Sequence, residues 1–153
     1  MELTFAPRGI LQIDGARICY RNFSGEGSKF NREGDRNFAI IIPDQEIADA
    51  LIKEGWNVKI KEPREEGDDP FITLNVKVKF NDRGPSVYLK TGNVKKKLKE
   101  GNVSILDHVD ILNVDLDVRP YDWEVNGKQG RTAYLQSICV TQDVDRFGDD
   151  VED

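Results

Sequence analysis

Residues 72–80 read ITLNVKVKF, and this stretch determines the fold class. Its apolar residues, from Ile72 to Phe80, fall at every second position, so they share one face of an extended chain. The intervening positions are polar and include Lys77 and Lys79. This alternation predicts a half-buried β-strand with a basic outer face.

The segment that follows predicts a hairpin. NDRGP, residues 81–85, has the composition of a turn, and SVYLK, residues 86–90, resumes the alternation with Val87 and Leu89 inward. Residues 73–90 are therefore predicted to form two neighbouring antiparallel strands. Their outward side chains would share one surface: Lys77, Lys79, Arg83, Tyr88 and Lys90.

Most of the remaining chain also carries strand patterns, which predict about seven or eight strands in total. One helix is predicted at residues 44–54, DQEIADALIKE, because Asp44 can cap its first turn and Gly55 can end it. Trp56 is predicted to lie in the core. NVKKKLKEGN, residues 93–102, fits either a short basic helix or a loop. A mainly antiparallel sheet with a single inserted helix is typical of a β-barrel or a β-sandwich.

The charge is unevenly distributed along the chain. The 153 residues carry a net charge of -6, which taken alone argues against a polyanionic partner. Residues 143–153 carry six acids against Arg146, whereas residues 71–102 carry eight Lys or Arg against Asp82 and Glu100. The sequence thus predicts one nearly neutral domain at residues 1–142 and a disordered acidic tail at residues 143–153.

Targeting and cysteine signals point to the cytoplasm. The sequence has no apolar run of membrane-span length, and its first residues lack the pattern of a signal peptide. Cys19 and Cys139 are not spaced as metal ligands, which predicts free, buried thiols. We expect neither a metal nor another cofactor.

Catalytic motifs are weak in this sequence. His108 is the only histidine, and no nucleophile motif accompanies it. Asp110, Asp115 and Asp117 could hold a divalent metal, but the last two alternate with apolar residues, which favours a solvated strand face. NGKQG, residues 126–130, lacks the strand-to-helix context of a phosphate loop and predicts a hairpin turn. We therefore expect no enzymatic activity.

Residues 118–140, VRPYDWEVNGKQGRTAYLQSICV, gather basic and aromatic side chains between two alternating strands. Binding of single-stranded nucleic acid needs this combination, because basic groups follow phosphates and aromatic rings stack on bases. Residues 22–37 form a glycine-rich loop with further basic residues, able to close over a bound strand. The alternative is that Trp123 and Tyr134 complete the core and the lysines only solubilise. The predicted binding residues are Arg32, Arg36, Lys77, Lys79, Arg83, Tyr88, Lys90, Arg119, Tyr121, Trp123, Lys128, Arg131 and Tyr134.

Three stretches together resemble a known family. They are RNFSGEGSKFNREGDRNFAIIIPD at residues 21–44, LDVRPYDWEVNGKQGRTAYLQSICVTQD at residues 116–143, and the acidic tail with Phe147 among its carboxylates. The pattern is similar to that of single-stranded-DNA-binding proteins of bacteriophage replication and recombination modules. This resemblance implies a mainly β, OB-fold-like antiparallel barrel with extra hairpins, one inserted helix and the disordered tail. It also implies sequence-independent binding and protection of single-stranded DNA.

The resemblance further implies protein partners. The acidic tail would contact replication or recombination proteins such as a polymerase, a primase or a recombinase, in the cytoplasm of the host cell. Whether the chain forms a homo-oligomer stays open.

Two other function classes also stay open at this point. A structural or adaptor protein of a phage particle would use the basic face to meet neighbouring copies. A metal-dependent nuclease would use Asp110, Asp115 and Asp117 to hold its metal.

Overall fold

The computed structural model describes residues 1–144, and within them the chain is built from nine strands and one α-helix. Residues 145–153 lie outside the described part, and with them most of the predicted acidic tail. The elements are β1 Glu2–Phe5, β2 Leu11–Asn22, β3 Arg36–Ile41, α1 Gln45–Lys53, β4 Val58–Lys61, β5 Phe71–Val78, β6 Ser86–Thr91, β7 Val94–Leu98, β8 Ile111–Val125 and β9 Lys128–Gln142, with short 3-10 helices at Pro7–Gly9 and Val103–Asp107.

Five of the strands close into a barrel. β2 pairs with β3, β3 with β5, β8 with β9 and β8 with β2, all antiparallel. A short parallel pairing of β5 with β9, through Val76↔Ala133 and Lys77↔Tyr134, completes the circuit. The mainly β, OB-like barrel with extra strands that the sequence predicted is therefore confirmed.

The extra strands extend the barrel at its edges. β4 pairs with β5, β1 with β2, and β6 lies parallel to the later part of β9 with β7 on its far side. None of the helices within residues 1–144 has the length and apolar content to cross a membrane.

Strand β5 confirms the alternation in residues 72–80. Ile72, Leu74, Val76 and Val78 are buried, and they pack in one core with residues of the other barrel strands. Lys77 and Lys79 are exposed. Burial of these apolar side chains stabilises the barrel, at roughly 25 cal/mol for each Å² of apolar surface removed from water.

The inserted helix is also confirmed, in the connection between β3 and β4. Asp44 caps it, because its Oδ1 accepts a hydrogen bond from the Ile47 backbone N–H at 2.9 Å. Ala48 and Leu51 are fully buried, and Trp56, directly after the helix, is 4% exposed. The core position predicted for Trp56 is therefore confirmed.

Two local predictions were wrong. Residues 73–90 do not form a hairpin, because both edges of β5 are taken by β3, β4 and β9, while β6 pairs with β7 and β9. The turn at residues 81–85 is present, with Asn81 bridged to Gly84, but it sends the chain to another part of the sheet. Residues 93–102 are neither a helix nor only a loop, because Val94–Leu98 forms the edge strand β7.

Candidate nucleic-acid interface

A row of paired residues crosses four barrel strands on the outside. Asn37 of β3 faces Lys77 of β5, Lys77 faces Tyr134 of β9, and Tyr134 faces Arg119 of β8. Directly paired residues point to the same side of a sheet, so all four side chains lie on one surface. We call this surface the outer face and include in it the outward positions of β2 to β5, β8 and β9.

Tyr134 is the centre of an aromatic and cationic cluster. The Arg119 guanidinium carbon lies 5.0 Å from the centroid of its ring, and the Tyr121 ring meets it edge to face at 6.1 Å. Tyr134 is half-buried, whereas Tyr121 is 55% exposed. The Tyr134 ring holds its two neighbours in place, and the exposed Tyr121 ring can meet a base.

The β8–β9 hairpin continues this surface beyond the barrel as a ribbon, residues 119–134. Asn126 and Gly127 make its turn, both with positive φ, which confirms the hairpin predicted for NGKQG. The Trp123 ring lies flat over Gly130, where any Cβ would overlap it, and its Nε1 donates to Thr132 Oγ1 at 3.1 Å. Trp123 is thus a surface residue, fixed in one orientation and partly exposed. Lys128 is exposed at the turn, on the same side of the ribbon.

A groove of about 520 Å³ lies at the other end of the row, between the β3–β5 strands and the loop of residues 22–37. Three cations, Arg36, Lys77 and Lys79, line it against two acids, Asp35 and Glu100. Tyr134, Asn37 and Asn75 also line it. The loop contributes Phe30, which is 93% exposed and has Lys29 Nζ 5.9 Å from its ring centroid. Exposure of a whole aromatic ring beside a basic groove suits it for stacking on a base.

Buried and hydrogen-bonded side chains fix the loop of residues 22–37. Phe23 is fully buried and stacks on Phe38 of β3, with ring centroids 5.1 Å apart. The Asn31 side-chain amide donates to the carbonyls of Glu26 at 2.9 Å and Asp35 at 3.0 Å. These contacts hold Phe30 above the groove.

Two predicted binding residues belong to this loop region. The Arg36 side chain is only 17% exposed, and its Nη2 lies 3.7 Å from Glu100 Oε2. Its guanidinium carbon lies 5.8 Å from the Phe80 ring centroid. It forms the floor of the groove. Arg32 is exposed on the loop.

Arg131 lies on the opposite side of the ribbon from Trp123 and Lys128. Its Nε and Nη2 donate to the two carboxylate oxygens of Asp122 at 2.6 and 3.1 Å, and its Nη1 donates to the Glu54 carbonyl at the end of α1, at 2.7 Å. The hydrogen bond from Arg131 lowers the pKa of Asp122, and the same bond raises the pKa of Arg131. The guanidinium carbon also lies 5.2 Å from the Trp56 ring centroid. This geometry ties the ribbon to the helix.

The remaining predicted residues lie elsewhere. Tyr88 and Lys90 are on β6, opposite Cys139 and Thr141 of β9, and Lys95 Nζ sits 4.3 Å from the Tyr88 ring centroid. Arg83 is exposed in the turn before β6. These three residues therefore do not share the groove with Lys77 and Lys79.

The acidic side chains proposed for metal binding have other partners. Asp115 Oδ1 accepts from the Gly15 backbone N–H at 2.9 Å and from Asn113 Nδ2 at 3.1 Å, and Asp117 Oδ2 accepts from Ser137 Oγ at 3.2 Å. Within residues 1–144, no group of three or more His, Cys, Asp or Glu side chains could hold a metal ion. Cys19 and Cys139 are free, as predicted, but half-buried, and burial raises the pKa of the Cys19 thiol.

An OB-like barrel that carries basic and aromatic side chains along a row and a β-ribbon suits the binding of single-stranded nucleic acid. Over residues 3–151 the chain matches the family described as "Putative phage ssDNA-binding domain". The chain belongs to this family, as the sequence resemblance indicated. No curated protein sequence matches it.

Solved structures with a similar fold include two of the same phage protein. The single-stranded DNA-binding protein from bacteriophage Enc34 is similar with a TM-score of 0.60 at 14% identity, over 100% of this chain and 97% of that chain. The same phage protein in complex with ssDNA is similar with a TM-score of 0.58 at 16% identity, over 95% of this chain and 93% of that chain. At such low identity the likeness shows the fold.

Proposed function

We propose that this protein binds single-stranded DNA of any sequence along the outer face, and thereby protects it during phage DNA replication or recombination. The charge of the outer face carries the proposal. The row Asn37, Lys77, Tyr134 and Arg119 contains no acid, and neither do the positions that continue it along the ribbon to Lys128, in a chain of net charge -6. Asp115 and Asp117 also point outward on β8, but they lie on the far side of Arg119 from the ribbon and accept hydrogen bonds there. Basic charge concentrated on one face of an acidic protein attracts a phosphate backbone to that face.

Phosphates and bases would be bound by different residues of the outer face. Lys77, Lys79, Arg119 and Lys128, with Arg32 on the loop, would neutralise phosphates and release their counterions. Tyr121, Trp123, Tyr134 and Phe30 would stack on bases. Because every base has an aromatic face, stacking gives affinity without sequence specificity.

The other predicted residues have separate roles in this proposal. The sequence predicts both Arg36 and Arg131 as DNA-binding residues, but their ion pairs and low exposure favour a role in holding the groove and the ribbon in place. Arg83, Tyr88 and Lys90 would be reached by a strand that leaves the groove at Lys79 and passes over the turn to β6.

The acidic tail, residues 143–153, would contact basic surfaces of replication or recombination proteins. Six acids in eleven residues support this role, because a segment of such charge is attracted to basic protein surfaces. A protein acting in this way works in the host cytoplasm.

Tryptophan fluorescence tests the proposal. A mixed-sequence single-stranded oligonucleotide and its duplex are titrated separately into the protein at two salt concentrations. We expect the single strand to quench Trp123, and the affinity to fall at higher salt. Trp123→Phe should abolish the signal, whereas Trp56→Phe should retain it. If neither nucleic acid binds in a gel shift, while light scattering shows assembly without DNA, the structural-protein alternative replaces the proposal.

A further inference from the structure

Tyr20 adopts a strained backbone conformation near the end of β2. Its φ is +52°, in the left-handed region that residues other than glycine rarely occupy, and it lies at a bulge between Cys19 and Asn22 in the pairing with β3. A bulge can redirect a side chain, and strain of this kind concentrates at ligand sites. Tyr20 is 68% exposed, so burial does not explain the strain.

The redirected Tyr20 ring reaches Phe71 on β5. Their ring centroids are 6.3 Å apart and the rings are perpendicular. Phe71 pairs with Lys61 of β4 and lies two positions before Thr73, so it points to the outer face and is itself exposed. An edge-to-face pair leaves ring surface open to a third flat group.

The charged side chains at the strand positions beside this pair are basic. Arg17 of β2 and Lys59 and Lys61 of β4 are exposed and lie on the outer face, by their pairing with Ile41, Thr73 and Phe71. None of these paired positions is acidic. The nearest acids in sequence belong to the connector of residues 62–70, which borders the Phe71 end.

The pair is continuous with the groove. From Phe71 the outward positions of β5 run through Thr73 and Asn75 to Lys77, a path of roughly 20 Å at about 3.3 Å per residue. Ala39 of β3 lies beside Asn75. Asn75 is exposed, whereas Thr73 and Ala39 are buried beneath their neighbours, so no charged side chain interrupts the path between the two sites.

We propose that Tyr20 and Phe71 form a second base-stacking site for the same single strand of DNA, with Arg17, Lys59 and Lys61 as its phosphate contacts. The proposal rests on the proposed function, which it extends from the groove across β5 to β4. An exposed aromatic pair could also bind a protein, but three cations with no acid among the paired positions fit a polyanion. The acidic connector marks the end of the path.

Affinity as a function of oligonucleotide length tests the site. OB-folds bind about 4–16 nucleotides, so the protein is titrated with oligonucleotides across this range. The variant is Tyr20→Asn, because asparagine tolerates the positive φ and only the ring is lost. We expect equal affinity of variant and wild type for the shortest strands, and a loss of about 5- to 150-fold for the longest.

Two further variants keep the test decisive. Tyr20→Phe retains the ring and should bind like the wild type, and Phe71→Ala should reproduce the loss with the backbone of Tyr20 intact. If Tyr20→Asn and Phe71→Ala match the wild type at every length, the second site is overturned and the proposed function stands. A change in assembly by light scattering without any change in DNA affinity would also overturn it, in favour of a protein contact. Failure of the wild type to bind any strand would instead remove the proposed function.

Discussion

Arg119 and Tyr134, cross-strand partners in the ribbon, are in cation–π contact, with the guanidinium carbon 5.0 Å from the ring centroid. The ring presents Arg119 to the outer face, next to Lys77 across the parallel β5–β9 pairing. This contact couples a phosphate-binding group to an aromatic one.

The coupling predicts the outcome of a double-mutant cycle. The slope of log K against log[salt] is negative, and Arg119→Ala should make it less steep by about 0.7, the value for one phosphate contact on a single strand. Tyr134→Ala should lower affinity by about 1–3 kcal/mol and leave Arg119 less well placed. We therefore expect the double variant to lose less than the sum of the two. Additive losses would show that the ring does not position the guanidinium.

Salt dependence distinguishes the lysines of the groove from other lysines. Lys77→Ala and Lys79→Ala should each lower the salt slope by about 0.7 with little change in melting temperature, because both side chains are exposed. Lys53→Ala is the matched control: Lys53 is an exposed lysine on α1, which contributes no residue to the outer face. A slope lowered equally by all three variants would mean that the groove has no special role.

Two phenylalanines of one loop should separate stability from binding. Phe23 is fully buried against Phe38, so Phe23→Ala should lower the free energy of unfolding by about 3–5 kcal/mol. Phe30 is exposed, so Phe30→Ala should change it by no more than about 0.5 kcal/mol.

DNA affinity gives the complementary readout for this pair. Phe30→Ala should weaken binding by about 1–3 kcal/mol if the ring stacks on a base. Chemical denaturation and a DNA titration of each purified variant supply both values. A stable Phe30→Ala variant with wild-type affinity would remove Phe30 from the interface.

The sequence predicted the elements whose signals are local. Alternation in residues 72–80, the cap at Asp44 and the Asn126-Gly127 turn each depend on a few neighbouring residues, and each is confirmed. The exposure of Trp123 could not be read from the sequence, because alternation along a strand does not show which of its faces meets the core.

The pairings between distant segments could not be predicted. The alternation along a strand shows which of its side chains share a face, but it does not identify the neighbouring strand. The predicted β5–β6 hairpin was wrong for this reason, and the Lys77↔Tyr134 pairing that closes the barrel has no local signal. The sequence did not indicate Tyr20 as a binding residue, because in a regular strand without the bulge its side chain would point away from the outer face.

The ion pair with Asp122 predicts that Arg131 holds the ribbon against the end of α1 and does not contact a phosphate. Arg131→Gln should lower the melting temperature, because it removes the bonds to Asp122 and to the Glu54 carbonyl. It should weaken DNA binding without changing the salt slope, since no phosphate contact is lost. A slope lowered by about 0.7 would instead assign Arg131 to a phosphate, as the sequence predicted.

The pH dependence of stability tests the contribution of the Asp122 carboxylate to the same ion pair. Because the pKa of Asp122 is lowered in the folded protein, its contribution to stability is present above the usual aspartate pKa of about 3.9 and is lost as the pH falls through the lowered value. The melting temperatures of wild type and Asp122→Asn should therefore differ at pH 7 and converge in acid. Glu124→Gln is the matched control, because Glu124 lies two pairs nearer the turn, on the same side of the ribbon and opposite Gln129. This variant should show no such convergence. Equal melting temperatures of wild type and Asp122→Asn at pH 7 would show that the ion pair does not hold the ribbon, because the anchor requires a charged Asp122.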